Sequence, residues 1–215
     1  MTPPLVDYLV ARAGLPPGSG LAYDYVVGGD GVFIVAANPL LELRIPVAVC
    51  DIRGLAPVFA ACTLVHGPIP GSIWNDALRF LRAAHVRGSE ILVGIRHDGD
   101  GYRLVVPSQM VAPLAVKYKP QPGWLLEMHS HRDVSAHFSA TDCADEQGLR
   151  LYGVVGRLDE TRPQVNLRAG AYGYFLPVPW TSVFDGDPSF VEDLNAEDRH
   201  DETEEWLAVC ANEST

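Results

Sequence analysis

Residues 72–106, SIWNDALRFLRAAHVRGSEILVGIRHDGDGYRLVV, place a helical pattern directly before two strand-like runs. In the first half, apolar residues from Ile73 to Ala84 recur at the spacing of one helix face. We expect Ser72 to cap this helix and Gly88 to end it. The second half has two apolar runs around DGDG, which predicts a strand, a tight turn and another strand. The stretch therefore predicts a mixed α/β domain.

The flanking sequence extends this pattern in both directions. Upstream, YVVGGDGVFIVAAN predicts a hairpin, and Pro46 within LELRIPVAVCDI indicates a sheet edge or a bulge. Downstream, GWLLEMHSH predicts a buried strand, SATDCADEQ a short helix, and LRLYGVVGRLDETRPQVNLRAG a pair of strands. The predicted fold class is α/β, a mixed sheet with flanking helices, preceded by a small β-rich N-terminal module.

Breaker residues and charge runs suggest three parts. The cluster HGPIPGS separates a β-rich N-terminal module, residues 1–68, from the α/β domain, residues 69–184. Residues 185–215 are strongly acidic and predict a solvated tail, with the docking of a basic partner as the alternative.

Composition limits the classes of function. The chain has 215 residues and a net charge of -11, which argues against nucleic-acid binding because phosphates need a basic surface. No apolar run is long enough for a membrane helix, and the first residues lack the features of a signal peptide. We expect a soluble cytoplasmic protein. Its four cysteines form no CxxC pair, so we expect free thiols and no cysteine-based zinc site.

Residues 127–142, EMHSHRDVSAHFSATD, contain a candidate metal site. Side chains two apart on a strand share a face, so His129 and His131 can present two imidazoles together. Asp142, in the first turn of the next helix, would add a carboxylate. Two histidines and one carboxylate are typical of catalytic zinc, because they leave a fourth position open for water. Bound zinc lowers the pKa of that water to about 7 and makes it a nucleophile at neutral pH.

A purely structural interpretation explains only part of this stretch. Ser139 and Asp142 have the spacing of a helix-capping pair, which needs no catalytic role. Capping leaves the two histidines unexplained, whereas a metal site accounts for both halves of the stretch.

The pattern H-x-H, seven residues, then S-x-x-D resembles the JAMM zinc motif of the JAB/MPN metallopeptidases. That family also has a glutamate at the start of the strand after its first long helix, where this chain has Glu90. The resemblance covers about residues 70–182 and implies the JAB/MPN fold, whose layering is similar to that of cytidine deaminases.

Carried over residue by residue, the resemblance implies that His129, His131 and Asp142 bind Zn²⁺. Glu90 would act as general base and then general acid. Ser139 would donate a hydrogen bond to the oxyanion of the tetrahedral intermediate. Capping and this role are compatible only if its hydroxyl is free to face the substrate.

Three features of the chain leave alternatives open. Many family members have proline after the second histidine, whereas this chain has Arg132, so the loop is set differently or contacts substrate. His137 lies inside the spacer and competes as a ligand. Glu127 would share the strand face of His129 and is the rival for the acid/base role, although a carboxylate there would crowd the metal.

Within the family, the chain resembles a bacterial subgroup, PRTRC system protein A, which has a β-rich extension before its JAB domain. This resemblance implies a peptidase that acts at the C-terminus of a ubiquitin-like protein, in a cassette with a ThiF/E1-like protein. The alternatives are a non-catalytic JAB/MPN scaffold and a zinc hydrolase of smaller amides. A scaffold would have no need of an open zinc site, so we expect an enzyme.

Overall fold

The computed structural model describes residues 5–112, 115–118 and 123–196. It is a mixed α/β fold, mostly strands with few helices, which confirms the predicted class. The finer prediction of JAB/MPN layering stays a prediction. None of the helices in the described ranges is long and apolar enough to cross a membrane.

A five-stranded sheet forms the N-terminal part of the chain, in the order β1-β2-β3-β4-β5. Its strands are β1 (Val6–Val10), β2 (Tyr23–Gly28), β3 (Gly31–Ala37), β4 (Leu41–Val49) and β5 (Ala61–Leu64). β1 pairs in parallel with β2, and the other neighbours are antiparallel.

The predicted hairpin is confirmed as β2 and β3, with Gly28 opposite Gly31 and a two-residue turn between them. Gly31 has φ +150°, and a Cβ there would lie 2.1 Å from the carbonyl oxygen of Ala48. Glycine is therefore required by the close approach of β4. The register of β3 and β4 shifts next to Pro46, so of the two predicted alternatives, a sheet edge or a bulge, the bulge is correct.

The first long helix, α1, spans Gly71–Val86 and buries Trp74, Ala77, Leu81 and Ala84 on one face. The short strand β6 (Ile69–Pro70) leads directly into it. The expected Ser72 cap is wrong, because the cap residue is Pro70, two residues earlier, and it makes no side-chain cap hydrogen bond.

The end of α1 is as predicted. Gly88 has φ +72°. Its N–H donates to the carbonyl of His85 at 2.8 Å, and the next N–H, from Ser89, donates to Ala84 at 3.1 Å. These two bonds form a Schellman motif, which satisfies the last free carbonyls of the helix.

The second sheet has seven strands in the order β14-β13-β12-β11-β7-β8, with β16 also paired to β13. Its strands are β7 (Leu92–His97), β8 (Tyr102–Val105), β11 (Trp124–Ser130), β12 (Arg150–Gly156), β13 (Gln164–Ala171), β14 (Tyr174–Pro177) and β16 (Glu192–Asp193). β11 is parallel to β12 and antiparallel to β7, so the sheet is mixed. A separate hairpin consists of β9 (Gln109–Ala112) and β10 (Ala115–Tyr118).

One hydrophobic core joins both sheets and α1. It includes Ile34 and Leu43 from the first sheet, Leu81 from α1, and Leu126 and Val165 from the second. The two sheets share no strand, and their buried side chains belong to the same core.

The residues after α3 (Trp180–Val183) pack against the second sheet. β15 (Phe184–Asp185) pairs with β6, a 3₁₀ turn follows at Pro188–Phe190, and β16 pairs with β13. The side chain of Asn195 is buried and donates to the carbonyl of Leu167 at 2.7 Å. The predicted tail therefore starts with packed residues, and its part at 197–215 lies outside the described residues.

Candidate metal centre

The central strands of the second sheet have one core face and one polar face. On β11, Leu126 and Met128 are fully buried in the core. The alternate residues, Glu127 and His129, point to the opposite face. His129 lies opposite Leu92 of β7 and Val154 of β12, so neighbours fix its position on both sides. The predicted strand thus places His129 on a central strand of the sheet.

His131 follows directly after the last residue of β11. Its N–H donates to the carbonyl of Val155 at 2.8 Å, so the backbone stays attached to β12 beyond the strand's end. The strand alternation continues to this residue, and its imidazole lies beside that of His129, with ring centroids 5.0 Å apart.

Asp142 comes from the first turn of α2 (Ala140–Asp145), where the predicted capping box is present. One carboxylate oxygen, Oδ2, accepts the backbone N–H and the hydroxyl of Ser139, both at 2.7 Å. The hydroxyl of Ser139 in turn accepts the N–H of Asp142 at 3.2 Å. These bonds orient the carboxylate so that Oδ1 faces His129.

The three side chains converge on one point. His129 Nε2 lies 3.1 Å from His131 Nε2 and 3.5 Å from Asp142 Oδ1. All three potential ligand atoms lie within 4.8 Å of one another, and no other such group occurs in the part of the chain that the structure describes. Zinc–ligand bonds of about 2.0–2.1 Å at tetrahedral angles place neighbouring ligand atoms about 3.3 Å apart. The two distances from His129 Nε2 are close to this value, and the third pair of ligand atoms lies within 4.8 Å.

The environment holds these groups in the protonation states that a metal requires. Burial lowers the pKa of His129 to about 4, although the charge of Asp142 opposes this shift. Burial also lowers the pKa of His131. Burial would raise the pKa of Asp142, but the histidines and the hydrogen bonds from Ser139 outweigh it, and the pKa is lowered. Two neutral imidazoles and a carboxylate have lone pairs available for a cation.

Glu90 lies near this centre, two residues before β7 begins. The pKa of Glu90 is raised, mainly by burial. The positive charge of Arg132 opposes this shift, and the negative charge of Asp142 adds to it. The backbone next to Glu90 is fixed by Ser130, whose hydroxyl accepts the N–H of Ile91 at 3.0 Å. Ser130 N–H donates back to the carbonyl of Ile91 at 3.1 Å.

Ser130 is a positioning residue that the sequence pattern did not identify. It is fully buried and stands between the two histidines in the chain. In the sequence, only its position on the core-facing side of the predicted strand pointed to Ser130, because a buried polar residue needs a hydrogen-bond partner.

Glu127, the other candidate for the acid/base role, is paired with an arginine of the neighbouring strand. It is almost fully buried and forms an ion pair with Arg150 of β12. It lies outside the group of candidate ligands. The ion pair places Glu127 between two strands of the sheet, and the choice of Glu90 over Glu127 as the acid/base stays a prediction.

His137 lies beside His131 but outside the candidate ligand group. The two rings meet edge to face with centroids 5.1 Å apart. Nδ1 of His137 lies 3.1 Å from the carbonyl oxygen of Ser135, and the side chain is exposed.

Arg132 has φ +51°, a left-handed conformation that is uncommon for non-glycine residues. Its carbonyl accepts the N–H of Leu158 at 2.8 Å, which holds the turn after His131. Proline cannot adopt a positive φ, because its ring fixes φ near -65°. The backbone after the second histidine therefore differs from that of a chain with proline there.

No family model matches this chain, and no curated protein matches it. Among solved structures, it is similar to the solution structure of protein DSY2949 from Desulfitobacterium hafniense, at 16% sequence identity and a TM-score of 0.35. That alignment covers 55% of this chain and 90% of the other. The resemblance to JAB/MPN metallopeptidases stays a prediction from the sequence motif.

Proposed function

We propose that this chain is a zinc-dependent metallopeptidase of the JAMM type. The supporting observation is the convergence of His129, His131 and Asp142, with ligand atoms within 4.8 Å of one another, on the polar face of the second sheet. Three protein ligands with a fourth position open are typical of catalytic zinc sites, whereas structural sites have four protein ligands.

Zinc held by these residues would supply a nucleophilic water at neutral pH, because coordination lowers the pKa of water to about 7. Glu90 accepts a proton from the attacking water and passes it to the leaving nitrogen as the carbon–nitrogen bond breaks. One water is thus added across one amide bond. The raised pKa of Glu90 suits this role, because a general base is most effective with a pKa near the working pH.

Ser139 has two proposed roles, which can be separated. Its hydroxyl donates to Asp142 Oδ2 in this structure, so it must turn to donate to a substrate oxyanion. Ser139→Ala should weaken zinc binding by about 10- to 100-fold, because Asp142 Oδ2 keeps the backbone N–H of residue 139 but loses the hydroxyl that also orients it. At saturating zinc, kcat should still fall by about 10²-fold, because one oxyanion donor is missing.

Zinc titration followed by turnover at saturating zinc measures the two effects separately. Ser139→Thr keeps the hydroxyl and is the matched control, so it should retain most of both properties. An unchanged kcat in zinc-saturated Ser139→Ala would show that the serine acts only as the helix cap.

The proposed substrate is a ubiquitin-like protein, cleaved at a peptide or isopeptide bond after its C-terminus. This proposal rests on the motif's resemblance to the JAB/MPN family, as does a ThiF/E1-like partner. An extended C-terminal tail is suited to strand addition. β8 ends the second sheet on the side of β7 and offers such an edge.

A cleavage assay tests the proposal. A ubiquitin-like protein with a peptide extension after its C-terminus, and one with an isopeptide-linked lysine peptide, are incubated with the zinc-loaded chain and analysed by mass spectrometry. We expect cleavage of at least one, its loss with a chelator, and its recovery on adding zinc. Binding of the modifier without cleavage would instead support the scaffold function.

A further inference from the structure

The helix that carries Asp142 cannot hold its own position. α2 has six residues, and none of them is buried. Isolated helices of this length are unstable in water, because nucleation costs more than a few hydrogen bonds return. The capping box fixes the carboxylate relative to its own helix but does not fix the helix relative to His129. A separate contact must attach α2 to the sheet.

Arg168 of β13 makes that contact. Its Nε donates to the carboxylate of Glu146 at 2.8 Å, and its terminal nitrogen donates to the same oxygen. Glu146 is the C-terminal cap residue of α2. A second terminal nitrogen lies 3.3 Å from Cys143 Sγ, within the helix. The arginine therefore contacts both the body and the end of α2.

Two aromatic rings hold the guanidinium in place. Its central carbon lies 3.6 Å from the ring centroid of Phe138 and 3.8 Å from that of Phe175. Phe138 immediately precedes the cap residue Ser139, and Phe175 belongs to β14. Arg168 is 7% exposed, so these cation–π contacts are largely screened from water and stronger than at a surface.

The backbone register connects this contact to the histidines. Arg168 lies opposite Tyr152 on β12, and Tyr152 lies opposite Glu127 on β11. Glu127 is two residues before His129, so Arg168 and His129 project from the same face of one hydrogen-bonded sheet. A contact from Arg168 to α2 therefore sets the position of Asp142 relative to His129.

We propose that Arg168, through Glu146 and Cys143, is a positioning residue that docks α2 on the sheet and thereby completes the metal centre. This inference rests on the metal centre of the proposed function. It adds a prediction that the motif does not contain, namely that metal affinity depends on a buried arginine 26 residues beyond Asp142 in the chain.

Arg168→Met keeps an apolar side chain between the two rings. It removes the hydrogen bonds that the arginine makes to Glu146 and Cys143. We expect zinc affinity to fall by about 10- to 100-fold, the loss usual for residues that orient metal ligands. With Co²⁺ in place of zinc, the visible spectrum of the variant should lose intensity, because tetrahedral coordination is no longer enforced. A residue with only a general stabilising role would not change that spectrum in folded protein.

Arg150→Met is the matched control. It breaks another buried ion pair, Arg150 with Glu127, which joins β11 to β12 and includes no residue of α2. We expect it to lower the melting temperature at least as much, since a buried charge is left without its partner. Its zinc affinity and Co²⁺ spectrum should remain those of the unmodified chain.

If Arg168→Met does not fold, Arg168→Lys and Glu146→Gln test the same contact more mildly. Each should weaken zinc binding, and their combined loss should be smaller than the sum, because both act through one contact. If the unmodified chain binds zinc and the variants bind it equally well, the role of Arg168 is wrong, but the metal centre still stands. Unmodified chain that binds no zinc would overturn the metal centre and this role together.

Discussion

Glu90→Gln should lower turnover by about 10²- to 10⁴-fold while leaving the zinc content unchanged. Glutamine has the size of glutamate but cannot accept a proton from the attacking water. Glu90 is not among the converging ligand atoms, so the site should still fill with metal. Elemental analysis and turnover on the same preparation measure both properties.

Glu127→Gln is the control, because it is the same substitution at the other candidate carboxylate. Glu127 is buried in an ion pair with Arg150, so its loss should reduce stability. Turnover of the folded protein should stay close to that of the unmodified chain. Full turnover in Glu90→Gln together with its loss in Glu127→Gln would assign the acid/base role to Glu127 instead.

The parts of the site that could be predicted from sequence depend on local geometry. Strand alternation places His129 and His131 on one face, and the spacing of Ser139 and Asp142 forms a capping box. Each relation involves residues within four positions of each other. The hairpin of β2 and β3 could be predicted for the same reason, since its turn residues lie between its strands.

The parts that could not be predicted depend on contacts between distant segments. α1 starts at Gly71 without a Ser72 cap because β6 pairs with β15, more than 110 residues later. A Cβ on Gly71 would lie 2.5 Å from the carbonyl oxygen of Asp185, so the helix start is fixed by that neighbour. The contact between Arg168 and Glu146 also joins separate elements, and a short sequence pattern contains no trace of it.

His131→Ala should reduce bound zinc from about one ion per chain to nearly none, because two ligands rarely retain the metal. His129→Ala and Asp142→Ala should have the same effect, since the three ligand atoms form a single cluster. Elemental analysis of the purified proteins, after reconstitution with zinc and removal of free metal, gives the stoichiometry.

His137→Ala is the matched control for these variants. It removes an imidazole whose ring is 5.1 Å from that of His131, but which lies outside the converging ligand atoms. Zinc content should therefore be retained. If His137→Ala loses zinc and His131→Ala retains it, then His137 is the ligand and His131 is not. No zinc in the unmodified chain, even after reconstitution, would show that the motif is only a helix cap beside two partly buried histidines, and the chain would then be better explained as a binding protein.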